Sequence, residues 1–303
     1  MTRQDQEKKL TVDLPQGTVA FRDEGEGPVL LFSHGIFVDS SLWDGLVERL
    51  VPAGFRCVRP ETPMGAHRIP LNPETPLSPP RVADLLADFV DALDLGPVTV
   101  VGSDSGGAVS QMFAAQHPDK LAAMVLTNCD ALEVYPPFPF TLLPPLARMP
   151  GGIAPLGLLM KLRPVRWATY RMLTADPIPD RQLKAWLGPT GSNPGIRRDV
   201  NKVIGGLEKN QAIDAAEKLR GFEKPVLFAW GESDRFFKPE LAERLAAMIP
   251  NSRIEKVEGG RTFVALDDPE KVSNLIVEFM NETVAPAGRT DAQRSTLAGA
   301  DGR

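Results

Sequence analysis

Residues 98–118 read VTVVGSDSGGAVSQMFAAQHP, and this stretch decides the predicted fold. The β-branched run that leads into the glycine of 98–102 is typical of a strand buried on both faces of a sheet. Residues 108–117 follow with the spacing of a helix. Glycines at the junction permit a sharp strand-to-helix turn that lifts one side chain clear of the sheet. The stretch therefore predicts a strand, a strained turn and a helix, in that order.

Two residues compete for the raised position on the turn. Asp104 has glycines two residues to either side, whereas Ser105 has one only on its carboxyl side. The pattern of strand and helix matches the usual frame of such turns with Asp104 raised, so we favour Asp104 over Ser105. The alternative is that Asp104 only caps the helix, because aspartate at a helix N-terminus accepts amide hydrogen bonds.

Strand-like and helical patterns alternate on both sides of this stretch. Further strands are predicted at 18–21, 29–33, 55–58, 123–127, 226–230 and 253–257, and further helices at 82–95, 241–248 and 269–280. Such alternation predicts an α/β fold, with a mostly parallel central sheet and helices on both of its faces.

The alternation stops between residues 131 and 219, where proline, methionine and aromatic residues are frequent and no buried strand is evident. We interpret this segment as a helical cap inserted into a core formed by residues 1–130 and 220–282. Its apolar composition favours a hydrophobic pocket for a small or medium-sized apolar substrate. Residues 283–303 are small, polar and aperiodic, which predicts a disordered tail.

Composition narrows the classes of function. A formal net charge of −5 gives no electrostatic reason to expect binding to nucleic acid or to a membrane surface. Cys57 and Cys129 have no CxxC spacing, which argues against a disulfide framework or a zinc site and favours a reducing compartment. The chain shows no signal sequence and no apolar run of about 18 residues. We therefore expect a cytoplasmic protein that binds a small molecule without a metal or cofactor; a homodimer stays open.

Five short blocks, taken in order, resemble the α/β-hydrolase superfamily. They are SHG (33–35), GSDSGG (102–107), HPDKLAAMVLTNCDA (117–131), WGESD (230–234) and DDPEKV (267–272). The similarity is closest to the branch with an aspartate nucleophile, which contains haloalkane dehalogenases and epoxide hydrolases. It covers nearly the whole chain apart from the termini and the cap. The resemblance implies an α/β-hydrolase fold with Asp104 in the nucleophile position.

The resemblance also implies roles for residues near the turn. The N–H groups of Ile36 and Ser105 would form an oxyanion hole, and His34 would shape the loop beside the substrate. Asp234 stands at the family's usual acid position and Asp130 at an alternative one used by some dehalogenases. Of these two we favour Asp234. Such a carboxylate orients a histidine and stabilises its cation.

The histidine itself is missing. The family's closing motif, Gly-x-x-His-Phe, matches the GGRTF of residues 259–263 with Thr262 in the histidine position. All three histidines of the chain lie in its N-terminal half. An ester formed on Asp104 would therefore lack the usual base for its hydrolysis.

Three substitutes for this base stay open. His67 lies on a loop that follows a predicted strand, at the same sheet edge as the turn. Asp130 or Asp234 could serve if burial raised its pKa. Alternatively, Asp104 is itself the general base and no covalent step occurs.

Three further residues also carry alternatives. Arg261, beside the vacant histidine position, would bind a substrate carboxylate or neutralise the aspartate on the turn, or it is a surface residue. Tyr135 and Tyr170 belong to the cap, from which epoxide hydrolases use tyrosines to protonate the substrate, or they only pack. Halide-releasing relatives usually have tryptophan and asparagine where this chain has Ser105 and Ile36, so haloalkane dehalogenation is not favoured.

The leading hypothesis for function is a cofactor-free hydrolase that acts on an ester or an epoxide through Asp104. A second hypothesis is a lyase, isomerase or cyclase that uses Asp104 as acid and base. A third is an inactive relative that keeps the pocket as a ligand-binding site.

Overall fold

The computed structural model describes residues 10–283, which contain an eight-stranded sheet. The strands are β1 (Leu10–Leu14), β2 (Gly17–Glu24), β3 (Val29–Ser33), β4 (Arg56–Pro60), β5 (Val98–Asp104), β6 (Leu121–Cys129), β7 (Val226–Gly231) and β8 (Ser252–Val257). The helices are α1 (Asp44–Leu50), α2 (Pro79–Ala92), α3 (Ser105–Gln116), α4 (Leu143–Arg148), α5 (Ala154–Leu159), α6 (Arg163–Arg171), α7 (Asp180–Ser192), α8 (Pro194–Gly205), α9 (Lys209–Leu219), α10 (Pro239–Ala246), α11 (Val264–Asp267) and α12 (Pro269–Thr283).

The strands follow the order β1-β2-β4-β3-β5-β6-β7-β8 across the sheet. The neighbours from β4 to β8 in this order are parallel, whereas β1 pairs antiparallel with β2, and β2 with β4. The predicted α/β-hydrolase fold with a mostly parallel sheet is therefore confirmed. Each strand predicted from the sequence overlaps an observed one. The unpredicted strand β1, LTVDL, lies at the sheet edge with mostly exposed residues and so has no continuous apolar run.

The hydrophobic core lies on both faces of the sheet. In β5, Val98 and Val100 pack in one apolar cluster and Val101 packs in the other. This division follows from the strand itself, because successive side chains point to opposite faces. Met112 of α3 belongs to the first cluster and Ile276 of α12 to the second, so helices cover both faces. A strand buried on both sides has the continuous β-branched sequence that predicted it.

The chain between β6 and β7 forms α4 to α9, one short 3-10 helix (Phe140–Leu142) and turns, with no strand. This segment includes the predicted cap, and the boundaries of core and cap at 131 and 219 stay an interpretation. The predicted tail, apart from Thr283, lies outside the described residues. Cys57 and Cys129 are both buried free thiols. From Leu10 to Thr283, none of the helices has the length and apolarity needed to cross a membrane.

Candidate active site

The turn between β5 and α3 holds Asp104 in a strained conformation. Its φ of 53° and ψ of −136° lie outside the regions that non-glycine residues normally adopt. Asp104 directly precedes α3, yet its side chain makes no capping hydrogen bond to the helix. Helix capping therefore does not account for this residue, and its carboxyl group is available for other contacts.

Two glycines allow neighbouring backbone to approach this turn. A Cβ on Gly35 would lie 2.1 Å from Oδ2 of Asp104, and a Cβ on Gly106 would lie 2.3 Å from the carbonyl oxygen of Ser33. No side chain larger than a hydrogen atom fits at either position without a shift of its neighbours. The loop after β3 thus packs directly against the turn, and the Asp104 carboxyl group packs against Gly35.

The two predicted oxyanion-hole residues contact each other. The N–H of Ile36 donates to Oγ of Ser105 at 2.8 Å, and the Ser105 hydroxyl donates to Oδ2 of Asp104 at 3.4 Å. The serine side chain therefore bridges the amide of Ile36 and the carboxyl group of Asp104. The Ile36 N–H is therefore occupied by this hydroxyl in the structure.

Asp130 places a second carboxyl group beside Asp104. It follows β6, and its N–H donates to the carbonyl oxygen of Asp104 at 3.3 Å. Asp130 is only 2% exposed, and its Oδ1 has no hydrogen-bond partner within residues 10–283. Burial, and then the charge of Asp104, raise the pKa of Asp130 well above its usual range. Both effects favour the protonated, uncharged form of this carboxyl group.

The pKa of Asp104 is raised to about 7, and burial is the main cause. The charge of Asp234 raises it further, while hydrogen bonds from the N–H and hydroxyl of Ser105 lower it. At neutral pH Asp104 is therefore divided between the carboxylate and the carboxylic acid. A group in this state is suited to take up or release a proton during a reaction.

Asp234 and Thr262 meet at the predicted acid and histidine positions. Oδ1 of Asp234 accepts hydrogen bonds from the N–H groups of Phe236 at 2.8 Å and Phe237 at 3.2 Å. Burial raises the pKa of Asp234, and these two amides and the nearby Thr262 hydroxyl partly offset the rise. The Thr262 hydroxyl nevertheless makes no hydrogen bond of normal geometry to Oδ2, and both atoms lack a partner in the described structure. Two buried polar atoms, Oδ2 of Asp234 and Oγ1 of Thr262, thus lack hydrogen-bond partners at the positions where the resemblance implies a carboxylate–histidine pair.

A cavity of about 390 Å³ opens beside the turn, and its walls are mostly apolar residues from α4 to α7 and the loops around them. Among the described residues that line it, Asp104 and Asp130 are the only charged ones. Its other polar lining residues are Ser105, Thr169, Tyr170 and Thr190. The predicted residues Ile36 and Tyr170 also line this cavity, so the structure brings five predicted site residues together there.

The other predicted residues do not line the cavity. They are His34, His67, Tyr135, Asp234, Arg261 and Thr262. His67 faces the N–H of Gly65 at 3.4 Å and the carboxylate of Asp199 in α8 at 3.3 Å. His34 accepts from the N–H of Thr62 at 3.2 Å through Nε2 and so donates to the carbonyl of Gly35 through Nδ1, 3.0 Å away. Burial lowers the pKa of His34, which keeps its ring neutral.

Arg261 and the two tyrosines also have partners. Arg261 donates through Nη1 to the carbonyl oxygens of Arg171 at 3.2 Å and Thr174 at 2.9 Å. The Tyr135 hydroxyl donates to Oε1 of Gln211 at 3.3 Å, and the residue does not line the cavity. The Tyr170 hydroxyl donates to the carbonyl of Phe37 at 2.8 Å, so this tyrosine offers the cavity its ring.

Several lining residues were not predicted. Phe37 is adjacent to the predicted Ile36, and its φ of 58° marks a tight loop that only the structure reveals. Thr169, Thr190 and Phe263 come from separate segments of the chain. Their only sequence signal was the aromatic and polar content of the cap and of the closing motif, which does not distinguish wall residues from packing residues.

Comparison with known proteins places the chain in a family. The family model described as "alpha/beta hydrolase fold" matches residues 28–269, and the protein therefore belongs to the α/β-hydrolase fold family. A haloalkane dehalogenase 2 of Mycobacterium tuberculosis is 25% identical over 290 residues, covering 88% of this chain and 92% of the relative. A 2-(acetamidomethylene)succinate hydrolase of Mesorhizobium japonicum is 25% identical over 272 residues, covering 89% and 94%.

Solved structures agree with this fold. The haloalkane dehalogenase DbeA of Bradyrhizobium elkani superposes with a TM-score of 0.76 at 16% identity, covering 91% of this chain and 98% of that one. A thermophilic esterase of Thermogutta terrifontis superposes with a TM-score of 0.70 at 22% identity, again over 91% and 98%. Relatives of the chain thus include dehalogenases and esterases, and at these identities the structural matches establish the fold alone.

Within residues 10–283, no group of three or more His, Cys, Asp or Glu side chains has the arrangement of a metal site. The groups that the described site presents are two carboxyl groups of raised pKa, one serine hydroxyl and the backbone N–H of Ile36. This set suits proton transfer to and from a ligand in the cavity.

Proposed function

We propose that the protein is a cofactor-free enzyme that hydrolyses an ester or epoxide of small to medium size and apolar character through Asp104. The observation that carries this proposal is the setting of the Asp104 carboxyl group. It lies on a strained turn in an apolar cavity, with its pKa raised to about 7. Hydrolases and esterases among the relatives are consistent with this reaction class.

The role we assign to Asp104 is general base. A nucleophilic Asp104 would form an ester whose hydrolysis needs a second base. Thr262 has no basic form near neutral pH, and the cavity has no histidine among its described lining residues. A carboxylate with a pKa near 7 instead takes a proton from water as the water oxygen attacks the substrate. The C–O bond of the ester or epoxide then breaks, and the protonated Asp104 returns this proton to the leaving oxygen. The Ile36 amide, once the Ser105 hydroxyl has rotated, would stabilise the negative charge that develops on an ester carbonyl.

The direct test is turnover of a series of p-nitrophenyl esters of increasing chain length, together with styrene oxide, by the wild-type protein and Asp104→Asn. We expect Asp104→Asn to lower kcat/KM by at least about 100-fold, as for other general bases. Asp119→Asn, which changes an exposed aspartate, is the matched control and should leave kcat/KM unchanged. Turnover that survives Asp104→Asn would overturn the proposal.

The nucleophile alternative makes a different prediction. Because no histidine is present to resolve an ester on Asp104, styrene oxide or an alkyl bromide would leave a stable adduct on this residue. Intact-protein mass spectrometry should show no such adduct if Asp104 is a general base. An adduct mapped to Asp104, released faster in Thr262→His, would instead establish covalent catalysis stalled by the missing histidine.

A second candidate function is a lyase or isomerase reaction in which Asp104 moves a proton between substrate atoms. It is favoured by Thr262 at the position where the family resemblance implies a water-activating histidine, and by the small number of polar groups that line the cavity. Deuterium incorporation from D₂O into an apolar ketone, absent in Asp104→Asn, would favour this reaction over hydrolysis. Ligand binding without turnover or exchange would favour an inactive binding protein.

A further inference from the structure

The cavity beside Asp104 has negative groups and no matching positive one. Asp104 and Asp130 are the only charged residues among its described lining residues. Asp234 adds a third carboxyl group close enough for its charge to raise the pKa of Asp104. In catalytic sites of this kind, a histidine cation balances the carboxylate charge. With Thr262 in the position that the resemblance assigns to histidine, none of the described lining residues supplies such a cation.

A second observation points to a ligand. Oδ1 of Asp130 is buried and lacks a hydrogen-bond partner within the described chain, although the residue lines the cavity. Buried carboxyl oxygens without partners are rare because desolvation of such an atom is costly. Oδ1 itself is enclosed, so a molecule in the cavity reaches it after the Asp130 carboxyl group turns, and that molecule can then supply the missing hydrogen-bond donor.

Aromatic residues line the same cavity as the two carboxyl groups. Phe37, Phe140, Tyr170 and Phe263 all line the cavity. The Tyr170 hydroxyl is occupied by the carbonyl of Phe37, so its ring is the part that faces a ligand. The faces of aromatic rings attract organic cations, and this attraction is strongest where water is excluded.

We infer that the ligand of this cavity is an apolar molecule with a protonated amine, whose ammonium group binds between the carboxyl groups of Asp104 and Asp130. The ammonium group donates to the carboxylates of Asp130 and Asp104. Its apolar part fills the portion of the cavity lined by the predicted cap. This inference deepens the proposed function by naming its substrate class and rests on that proposal for turnover, whereas the binding itself is independent of it.

Binding should be coupled to proton release. The titratable groups that face the carboxyl pair are Asp234, Cys129, Tyr135 and Tyr170. None of them is a cation, so none offsets the raised pKa values of Asp104 and Asp130, and the free protein favours a protonated pair. An ammonium ion stabilises the doubly ionised pair, and the proton leaves to the solvent. Affinity for the amine should therefore increase as the pH rises through the range near 7.

The test is isothermal titration calorimetry of the full chain with phenylbutylamine, phenylbutanol and phenylbutyrate, which share an apolar part and differ in charge. At slightly alkaline pH, we expect the amine to bind at least about tenfold more tightly than the alcohol, as for a hydrogen bond to a charged group. The anion should bind more weakly than either. Titrations in buffers of different ionisation enthalpy should show proton release with the amine alone.

Asp130→Asn locates the site. In this variant the amine should lose its preference over the alcohol and its proton release, while affinity for the alcohol is retained. If Asp130→Asn does not fold, Asp104→Asn serves with the same readout. Asp119→Asn should behave as the wild type. Equal affinity of the wild type for amine and alcohol, a preference that survives both variants, or displacement of the amine by Mg²⁺ or Ca²⁺ would overturn the inference.

These outcomes are separable from the failure of the proposed function. Ester hydrolysis that depends on Asp104, without any preference for the amine, would leave the proposed function standing and refute the inference. An amine preference that depends on Asp130, without turnover of any ester or epoxide, would refute the proposed function and support the inference.

Discussion

Asp104 owes its proton affinity to its surroundings. Burial raises its pKa, the neighbouring carboxyl of Asp234 raises it further, and Ser105 lowers it through two hydrogen bonds. The backbone strain at this residue is compatible with a fixed orientation of the carboxyl group, because an unusual φ persists only where the surrounding structure holds it. A carboxyl group that ordinarily ionises in acid thus titrates near neutral pH.

The contact between Gly35 and Asp104 gives a first prediction. In Gly35→Ala, the new methyl group would lie 2.1 Å from Oδ2 of Asp104 and must displace the carboxyl group. We expect at least about a 100-fold loss of kcat/KM and a free energy of unfolding lower by about 1–3 kcal/mol. Gly188→Ala in α7 is the control, since no atom lies within 4 Å of its Cβ position. Equal activity of Gly35→Ala and the control would contradict this geometry.

Sequence reasoning located the centre of the site better than its connections. The glycine pattern pointed to Asp104, and the family resemblance implied Asp130 as an alternative acid position. The bridge from Ile36 through Ser105 was not predictable, because it depends on a side-chain rotamer rather than on spacing. The partner of His67 lies 132 positions away, and no local pattern could reveal it.

His67 connects two elements of the molecule. It lies on the loop after β4, and its contact at Asp199 reaches into α8. Asp199 is fully buried and also accepts from the N–H of Leu71 at 2.8 Å and from Arg198. The contact therefore holds a loop of the sheet against a helix of the predicted cap.

A structural role for His67 predicts a change in stability and none in pH dependence. His67→Gln should lower the free energy of unfolding in urea by about 1–3 kcal/mol, because Asp199 loses part of its hydrogen bonding. In the wild type, ionisation of Asp104 should make kcat/KM rise as the pH increases through about 7. This rise should remain in the variant. Asp214→Asn, on an exposed face of α9, should change neither quantity. Loss of the neutral limb in His67→Gln would identify this histidine as the catalytic base.

The elements that could be predicted accurately from the sequence are the strands buried on both faces of the sheet. β3, β5 and β7 are buried along nearly their whole length and were predicted to within two residues at each end. The helices of the segment between β6 and β7 were not individually predicted. Many of their residues are only partly buried, so their apolar positions follow no clean helical period.

For the whole molecule, the ionisation of Asp104, Asp130 and Asp234 makes the free energy of unfolding depend on pH. Each of these carboxyl groups has a pKa above its usual value, and burial is the main cause in all three. The folded state therefore prefers their protonated forms. The stabilisation they give is fully present in acid and is lost as the pH rises through their raised pKa values.

This coupling predicts how stability varies with pH in Asp104→Asn and Asp130→Asn. Relative to each variant, the free energy of unfolding of the wild type should decrease as the pH rises from about 4 to about 8. For Asp104, whose pKa is raised to about 7, this decrease is at most about 4 kcal/mol. Denaturant titrations at several pH values measure the difference. Buried carboxylates with lowered pKa, such as Asp39 and Asp199, have the same effect on stability in the wild type and in each variant. Their effect therefore cancels from the difference. Wild-type and variant curves that run parallel over this range would contradict the coupling.

The pKa of Asp104 itself tests the central claim most directly, because it needs neither a substrate nor a ligand. Carbon-13 NMR of protein labelled at the aspartate carboxyl carbons, with Asp104→Asn to assign the signal, would give its titration midpoint. We predict a midpoint at about pH 7. A midpoint at about pH 4, the ordinary value for aspartate, would contradict the account of Asp104 as a general base.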